Sequence, residues 1–223
     1  MVDEADQPFT FLRRGILFII SAPSGAGKTT LSRQILERVP DLRLSISYTT
    51  RAPRAGEVEG RDYHFVSADD FLRLRAGGAF AEWAEVHGSL YGTARAPLAE
   101  AFNHGHDLLL DIDVQGARQI KASYAEAVSI FVLPPSWQEL EGRLRGRATD
   151  GEEAIGRRLQ RAREEAHELF SYDYWLVNDK VEGAAAVLQG IIMAERVRVS
   201  RLIRTHATAM LFASPAAQGR KTV

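Results

Sequence analysis

The chain has 223 residues, 45% hydrophobic and 26% charged, with 28 basic residues against 29 acidic ones and no cysteine. That length and apolar content suffice to bury the core of one compact domain with small insertions. The balanced charge excludes a general electrostatic pull towards nucleic acid or membrane, and the missing cysteines exclude a disulfide framework and a thiolate-held metal. Any anionic ligand must therefore be held by local clusters.

The opening stretch MVDEADQPFTFLRRG, with residues 1–14 expected as an N-terminal extension, begins acidic and sets two arginines just before an apolar run far too short to span a bilayer. No secretory or membrane signal is read there, so no membrane partner and a cytoplasmic location are expected. ILFII at 16–20 reads as a strand stopped by Ser, Pro and Gly, and TTLSRQILERV after it spaces Leu31, Ile35, Leu36 and Val39 on one helical face. The same criteria predict strands in LRLSIS (42–47), DLLLDID (107–113), AVSIFVL (127–133) and DYWLVN (173–178). Helical patterns lie between them at 95–103, 114–123, 136–146, 151–170 and 180–205.

Strands alternating with helices predict parallel pairing through right-handed crossovers, hence a three-layer α/β core with ligands at the carboxyl ends of the strands. Residues 47–94 break the rhythm: RDYHFV, AFAEWAEV and SLYGTA are short β-like runs around one short helix at 69–76, as expected of a small mixed subdomain inserted into the core. Such an insertion usually carries substrate specificity. Residues 136–170 are rich in arginine and glutamate, the pattern of an exposed helical pair, and from 207 to the end small residues mix with Pro and Gly, the pattern of a frayed tail.

The segment between the first strand and the first helix is SAPSGAGKTT at 21–30. Gly25 and Gly27 let the backbone turn so that successive N–H groups point inward, and the following helix adds its positive end at the same spot. Polyphosphate suits that cradle, so Ala22, Pro23, Ser24, Gly25, Ala26, Gly27, Lys28, Thr29 and Thr30 are the expected ATP-binding residues, with Lys28 charging the outer phosphates and the Thr29 hydroxyl on Mg²⁺. Ala22 stands where the usual pattern has its first glycine, which is tolerable at negative φ.

SYTTRAPRAGEVEGRDYHF at 47–65 sets Arg51 and Arg54 three apart around a proline, with Tyr63 further on. Two guanidinium forks and a phenol hydroxyl suit a monophosphate. An exposed basic loop paired with Glu57 and Glu59 reads equally well from the residues alone.

The run Ser47 to Glu57, S-x-T-T-R-x-P-R-x-G-E, follows SAPSGAGKT by some twenty residues and resembles guanylate kinase. A-E-x-x-G-x-x-Y-G-T at 84–93, D-I-D-x-Q-G at 111–116, R-L-R-G-R at 143–147 and V-N-D at 177–179 continue the likeness in the family's order, across about 15–205. The resemblance implies a P-loop nucleoside-monophosphate kinase: a core at 15–46, 95–135 and 171–206, a GMP-binding subdomain at 47–94 and an arginine-bearing lid at 136–170. It further implies GMP-binding positions at Ser47, Arg51, Arg54, Tyr63, Glu82, Tyr91, Gly92, Thr93 and Asp113, and lid arginines Arg143, Arg147 and Arg158 closing over the phosphates with Lys28. Mg²⁺ with ATP is the implied cofactor, and ATP and GMP are the implied partners; the sequence is silent on dGMP and on oligomeric state.

Chemistry supports the base assignment, because guanine offers a ring N–H and an exocyclic amine side by side and Glu82 can accept both. Adenine offers a lone pair where guanine has the N–H, and sites built on such bonds discriminate by about four to five orders of magnitude. Asp111 and Asp113 project from the same face at the carboxyl end of their strand, one within reach of a Mg²⁺ shell or the acceptor; Asp113 equally suits a cap on the helix starting near Val114. Arg143 and Arg147 share a helical face, a spacing that also suits surface ion pairs with Glu139 and Glu141.

Two places depart from the family pattern: Ser89 and Leu90 stand where G-N-Y-Y-G is frequent, and Ala148 ends the lid's G-R-G. Two other readings are an inactive guanylate-kinase-like binding module and a kinase of a different phosphorylated acceptor. The intact Gly27-Lys28-Thr29 argues against the first, and Glu82, Thr93 and Asp113 argue against the second.

Overall fold

A computed structural model describes residues 13–86, 88–146 and 151–202. The expected extension up to residue 12, residues 203–223 and the lid segment 147–150 lie outside the described residues.

The expected α/β core is present. Five parallel strands, β1 (Leu17–Ser21), β2 (Leu42–Leu44), β7 (Asp107–Asp111), β8 (Val128–Leu133) and β9 (Tyr174–Val177), run in the order β2-β7-β1-β8-β9. β1 is central because every residue of it is buried, as an uninterrupted apolar run requires when both faces of a parallel sheet are covered. Its alternation sorts the two faces. Phe18 and Ile20 join Leu31 and Ile35 of α1 (Lys28–Arg38) and Leu188 and Ile192 of α7 (Val181–Arg196). Leu17 and Ile19 join Leu98 of α3 (Arg95–Asn103) and Ile120 of α4 (Val114–Ser123). Each such fully buried side chain contributes about 1.5–3 kcal/mol, so the sheet is a rigid platform whose carboxyl ends place the functional groups.

The segment that broke the rhythm forms its own sheet, ordered β4-β3-β6-β5, from β3 (Tyr48–Thr49), β4 (His64–Phe65), β5 (Phe80–Val86) and β6 (Ser89–Ala94). The short helix α2 (Ala68–Ala76) is capped by Ser67, whose hydroxyl accepts the Asp70 N–H, and its buried Phe71 stacks on Phe80 at 4.5 Å. This sheet meets the core along α4. There the Gln119 amide accepts the Trp83 N–H at 3.2 Å and donates to the Trp83 carbonyl at 2.8 Å, satisfying the open edge of β5.

The arginine-rich pair is α5 (Trp137–Arg145) and α6 (Glu152–Ala166), held together by Leu140, Leu144 and Ala162. Four of the expected spans are shortened, among them the strand at 107–113, which ends at Asp111 because Asp113 leaves it to cap α4. The helix at 151–170 ends at Ala166 and tightens into a 3-10 turn, His167–Ser171. The helix at 180–205 ends at Arg196, because buried Glu195 accepts the Tyr174 hydroxyl and the Arg201 guanidinium, each at 2.6 Å, drawing the chain back across the sheet. The strand at 42–47 ends at Leu44, after which the chain crosses to the second sheet and the Ser47 carbonyl accepts the His64 N–H.

Candidate active site

The phosphate loop joins β1 to α1. Gly25 and Gly27 take φ of 97° and 86°, the left-handed region the loop needs. Among the described residues Asp41 is the sole non-glycine at positive φ, so Ala22 sits in an ordinary conformation, partly buried against the core. Gly27 precedes a helix with no side-chain cap and no acidic residue in its first turn, which leaves inward N–H groups and the dipole for a ligand. A side chain at Gly27 would come within 2.5 Å of the Asn178 amide, which donates to the Ala26 carbonyl at 2.8 Å and so braces the loop from the end of β9.

Lys28 reaches across to β7, with Nζ 2.6 Å from Asp111 Oδ1 and donating to the Ile112 carbonyl at 2.8 Å. The other Asp111 oxygen accepts the Ser32 hydroxyl at 3.0 Å. All loop residues from Ala22 to Thr30 line one cleft together with Ser47, Arg54, Tyr63, Glu82, Tyr91, Asp111, Asp113 and Arg158. Donor loop and second sheet therefore face each other across a shared cavity.

Glu82 is the buried carboxylate of that cavity, 3% exposed, with Oε1 accepting the Thr93 hydroxyl at 2.6 Å. Burial, with help from nearby Asp113, pushes its pKa up to about 7, against the Thr93 hydrogen bond and Lys28. Asp113 caps α4 by accepting the Gly116 N–H at 2.9 Å, and its other oxygen accepts from Gln115. Burial also pushes the Tyr63 phenol up to about 12, with the charge of Asp111 adding to the effect.

Arg51 makes the pairing with Glu57 that the basic-loop alternative expects. Its guanidinium grips Glu57 through two bonds, at 3.0 and 2.9 Å, and its Nε donates to the Tyr91 hydroxyl at 3.1 Å. The Arg51 fork, then the Arg54 backbone N–H, hold the Glu57 carboxyl below its ordinary value although burial opposes them. Arg54 lines the cleft, whereas Arg51 stands behind Tyr63 and Tyr91, with its guanidinium 5.4 Å from the Tyr63 ring centroid. Gly92 and Thr93 are buried beneath the cleft: a side chain at Gly92 would press on Phe71 and Phe80 at 3.1 Å.

In the arginine-rich helical pair, Arg143 does pair with Glu139, at 3.1 Å, and also donates to the Asn178 carbonyl at 3.2 Å, beside the loop. Glu141 pairs with Arg145 instead. Arg147 lies outside the described residues. Two contributors escaped the residue-by-residue reading. Asn178 sits inside the V-N-D run, where its loop-bracing role had no local signature. Glu165 of α6 lines the cleft with Ser24 and Lys28, its pKa raised by burial and then by Asp113; in the sequence it is one glutamate among many on an exposed helix.

Among the described residues no three His, Cys, Asp or Glu side chains converge as a ready-made metal cage. The nearby donors are the Asp111 carboxylate and the Thr29 hydroxyl, all oxygen, and Mg²⁺ is usually held in this way, by one or two carboxylates plus water and substrate phosphates. The site therefore fits that ion.

The family profile described as Guanylate kinase matches residues 14–195. A guanylate kinase of Syntrophotalea carbinolica is 58% identical over 190 residues, covering 85% of this chain and 90% of that protein. One from Anaeromyxobacter dehalogenans is 59% identical over 186 residues, 82% of each chain. The crystal structure of guanylate kinase from Anaplasma phagocytophilum superposes with a TM-score of 0.73 at 36% identity, covering 86% of this chain and 92% of that one.

Proposed function

The chain belongs to the guanylate kinase family, and from that premise we propose how its residues divide the work of an ATP:GMP phosphotransferase. The reaction moves the γ-phosphoryl group of ATP to GMP, giving ADP and GDP. The GMP phosphate is the nucleophile and is already anionic near neutral pH, so no general base and no covalent enzyme intermediate are needed. The protein's task is positioning, charge neutralisation and exclusion of water.

The single observation that carries the assignment of roles is the shared cleft, in which a phosphate loop with Lys28 faces buried Glu82. Residues 22–30 hold the ATP phosphates, and Lys28 leaves Asp111 to stabilise the transferring group. Arg54, Tyr63, Tyr91 and Ser47 hold the acceptor phosphate. Arg51 joins them by releasing Glu57, a bidentate partner that keeps the guanidinium oriented until phosphate replaces it. Glu82 accepts the guanine N–H and amine, with Thr93 fixing one oxygen and Asp113 closing the base pocket. Arg143, Arg147 and Arg158 close over the phosphates from the lid. The residues fall into a core, a GMP-binding subdomain at 47–94 and a lid at 136–170, and closure of the last two shuts out water. Thr29 and Asp111, the latter through water, would hold Mg²⁺ together with the phosphates, and the bound ion would supply further charge neutralisation. None of these proposed contacts involves the ribose, so dGMP would use the same ones. Among the described residues no helix is long and apolar enough to cross a membrane; we place the enzyme in the cytoplasm, acting in purine nucleotide metabolism.

Measuring ADP release with ATP, Mg²⁺ and alternative acceptors tests this reading. GMP is expected to exceed AMP in kcat/KM by several orders of magnitude. Equal use of the two would remove Glu82 from its role and favour a kinase of another acceptor.

A further inference from the structure

α4 approaches the guanine-reading carboxylate more closely than any side chain there would allow. Gly116 occupies the third position of that helix, and a Cβ built on it would stand 2.5 Å from Glu82 Oε2 and 3.0 Å from Glu82 Cδ. The next contact, Asp113 Oδ1, would be at 3.4 Å, and no backbone atom is in the way. Gly116 has no positive φ, so the backbone itself does not require glycine. Elsewhere in the helices the comparison is plain: Gly142, Gly156, Gly183 and Gly190 would meet nothing within 4 Å.

We infer that Gly116 is a specificity-determining positioning residue, whose missing side chain reserves the volume in which the Glu82 carboxylate stands. The inference rests on the reading of Glu82 as the group that selects guanine. Three contacts fix that carboxylate and its strand. Thr93 donates to Oε1, the first turn of α4 lies against Oε2, and Gln119, one helical turn along, pins both backbone groups of the adjacent Trp83. A methyl group at Gly116 displaces the one element of this arrangement that can move, the flexible end of Glu82, and leaves the backbone where it is.

The consequence separates binding from stability. Alanine has better helix propensity than glycine, so Gly116→Ala is expected to keep the fold while disturbing only the acceptor base. KM for GMP should rise about tenfold or more while KM for ATP stays within about twofold, the split expected when one substrate's contacts are lost. The Gly190→Ala control should change neither constant. In a Glu82→Ala background, where the displaced group is gone, Gly116→Ala should add almost nothing to the GMP defect, since coupled neighbours are non-additive.

The test is a double-mutant cycle in the full chain, with KM for each substrate and circular dichroism for each variant. An unchanged KM for GMP in Gly116→Ala, or additive effects in the double variant, would overturn the inference. A Glu82→Ala variant with normal GMP kinetics would instead remove the Glu82 reading on which it stands. Should Gly116→Ala fail to fold alone, the double variant decides: a folded double with the kinetics of Glu82→Ala supports the collision with Glu82, and an unfolded double refutes it.

Discussion

Glu82 is buried beside Asp113, and its proton affinity is accordingly high, with a pKa of about 7 against an ordinary 4.5. A carboxyl whose pKa is raised on folding contributes stability that is complete below the unfolded value, declines as pH rises, and is lost above the folded value. Relative to wild type, Glu82→Gln should therefore gain stability as pH rises from about 4.5 to about 7, levelling at roughly 3 kcal/mol. Thermal melts at pH 5 and pH 8 check this, and a difference independent of pH would contradict it. On the proposed role of Glu82, guanine is accepted by the ionised form, so KM for GMP should fall as pH rises through 7. Lys28 presents the opposite case, a charge with its partner already in place at Asp111. Lys28→Ala should cut kcat by about 10²–10³ while leaving KM for GMP within a few-fold, as measured by steady-state kinetics.

Among the elements, β7 links stability to function: its carboxyl end presents Asp111, and its opposite end buries Asp107 completely. Both Asp107 oxygens are used, by Arg13 at 2.6 and 2.8 Å, by Arg196 at 2.7 Å and by the Ile16 N–H at 2.9 Å. Asp107→Asn leaves two guanidiniums facing a neutral group and should cost about 3–5 kcal/mol. Because the damage lies far along the strand from the cleft, kcat below the unfolding transition should be near normal. Urea denaturation alongside activity checks both halves.

The same scale explains what was legible in the sequence. ILFII, DLLLDID and AVSIFVL were readable as strands because burial on both faces forces unbroken apolar runs, and α1 and α4 because their apolar residues recur at helical spacing. What periodicity could not show was where tertiary contacts end an element. The 180–205 pattern continues past Arg196, yet Glu195 and Arg201 turn the chain, a contact invisible to any local window. Among site residues, the phosphate loop and the Arg51 to Tyr63 run were legible as chemistry. Gly116 and Asn178 lay inside quoted motifs, but their importance depends on Glu82 and on the phosphate loop, which are distant in the chain and adjacent only in the fold.

As a whole, the molecule carries almost no net charge, yet it gathers Lys28, Arg54 and Arg158 along one wall system with Glu82, Asp111 and Asp113. Opposite signs inside one cleft suit a ligand pair that is anionic at its phosphates and hydrogen-bond-donating at its acceptor base. The cleft lies between the two sheets, with Arg158 and Glu165 of α6 on its wall; on the proposed division of roles, closure of the flanking parts would let GMP, and not water, receive the phosphoryl group. The most direct measurement is ³¹P NMR of ATP, Mg²⁺ and GMP incubated with the enzyme, and of the same mixture without GMP. The signals of ADP and GDP should grow in equal amounts with no inorganic phosphate, and ATP alone should persist. Inorganic phosphate appearing in step with ADP while GMP is left unchanged would contradict the account.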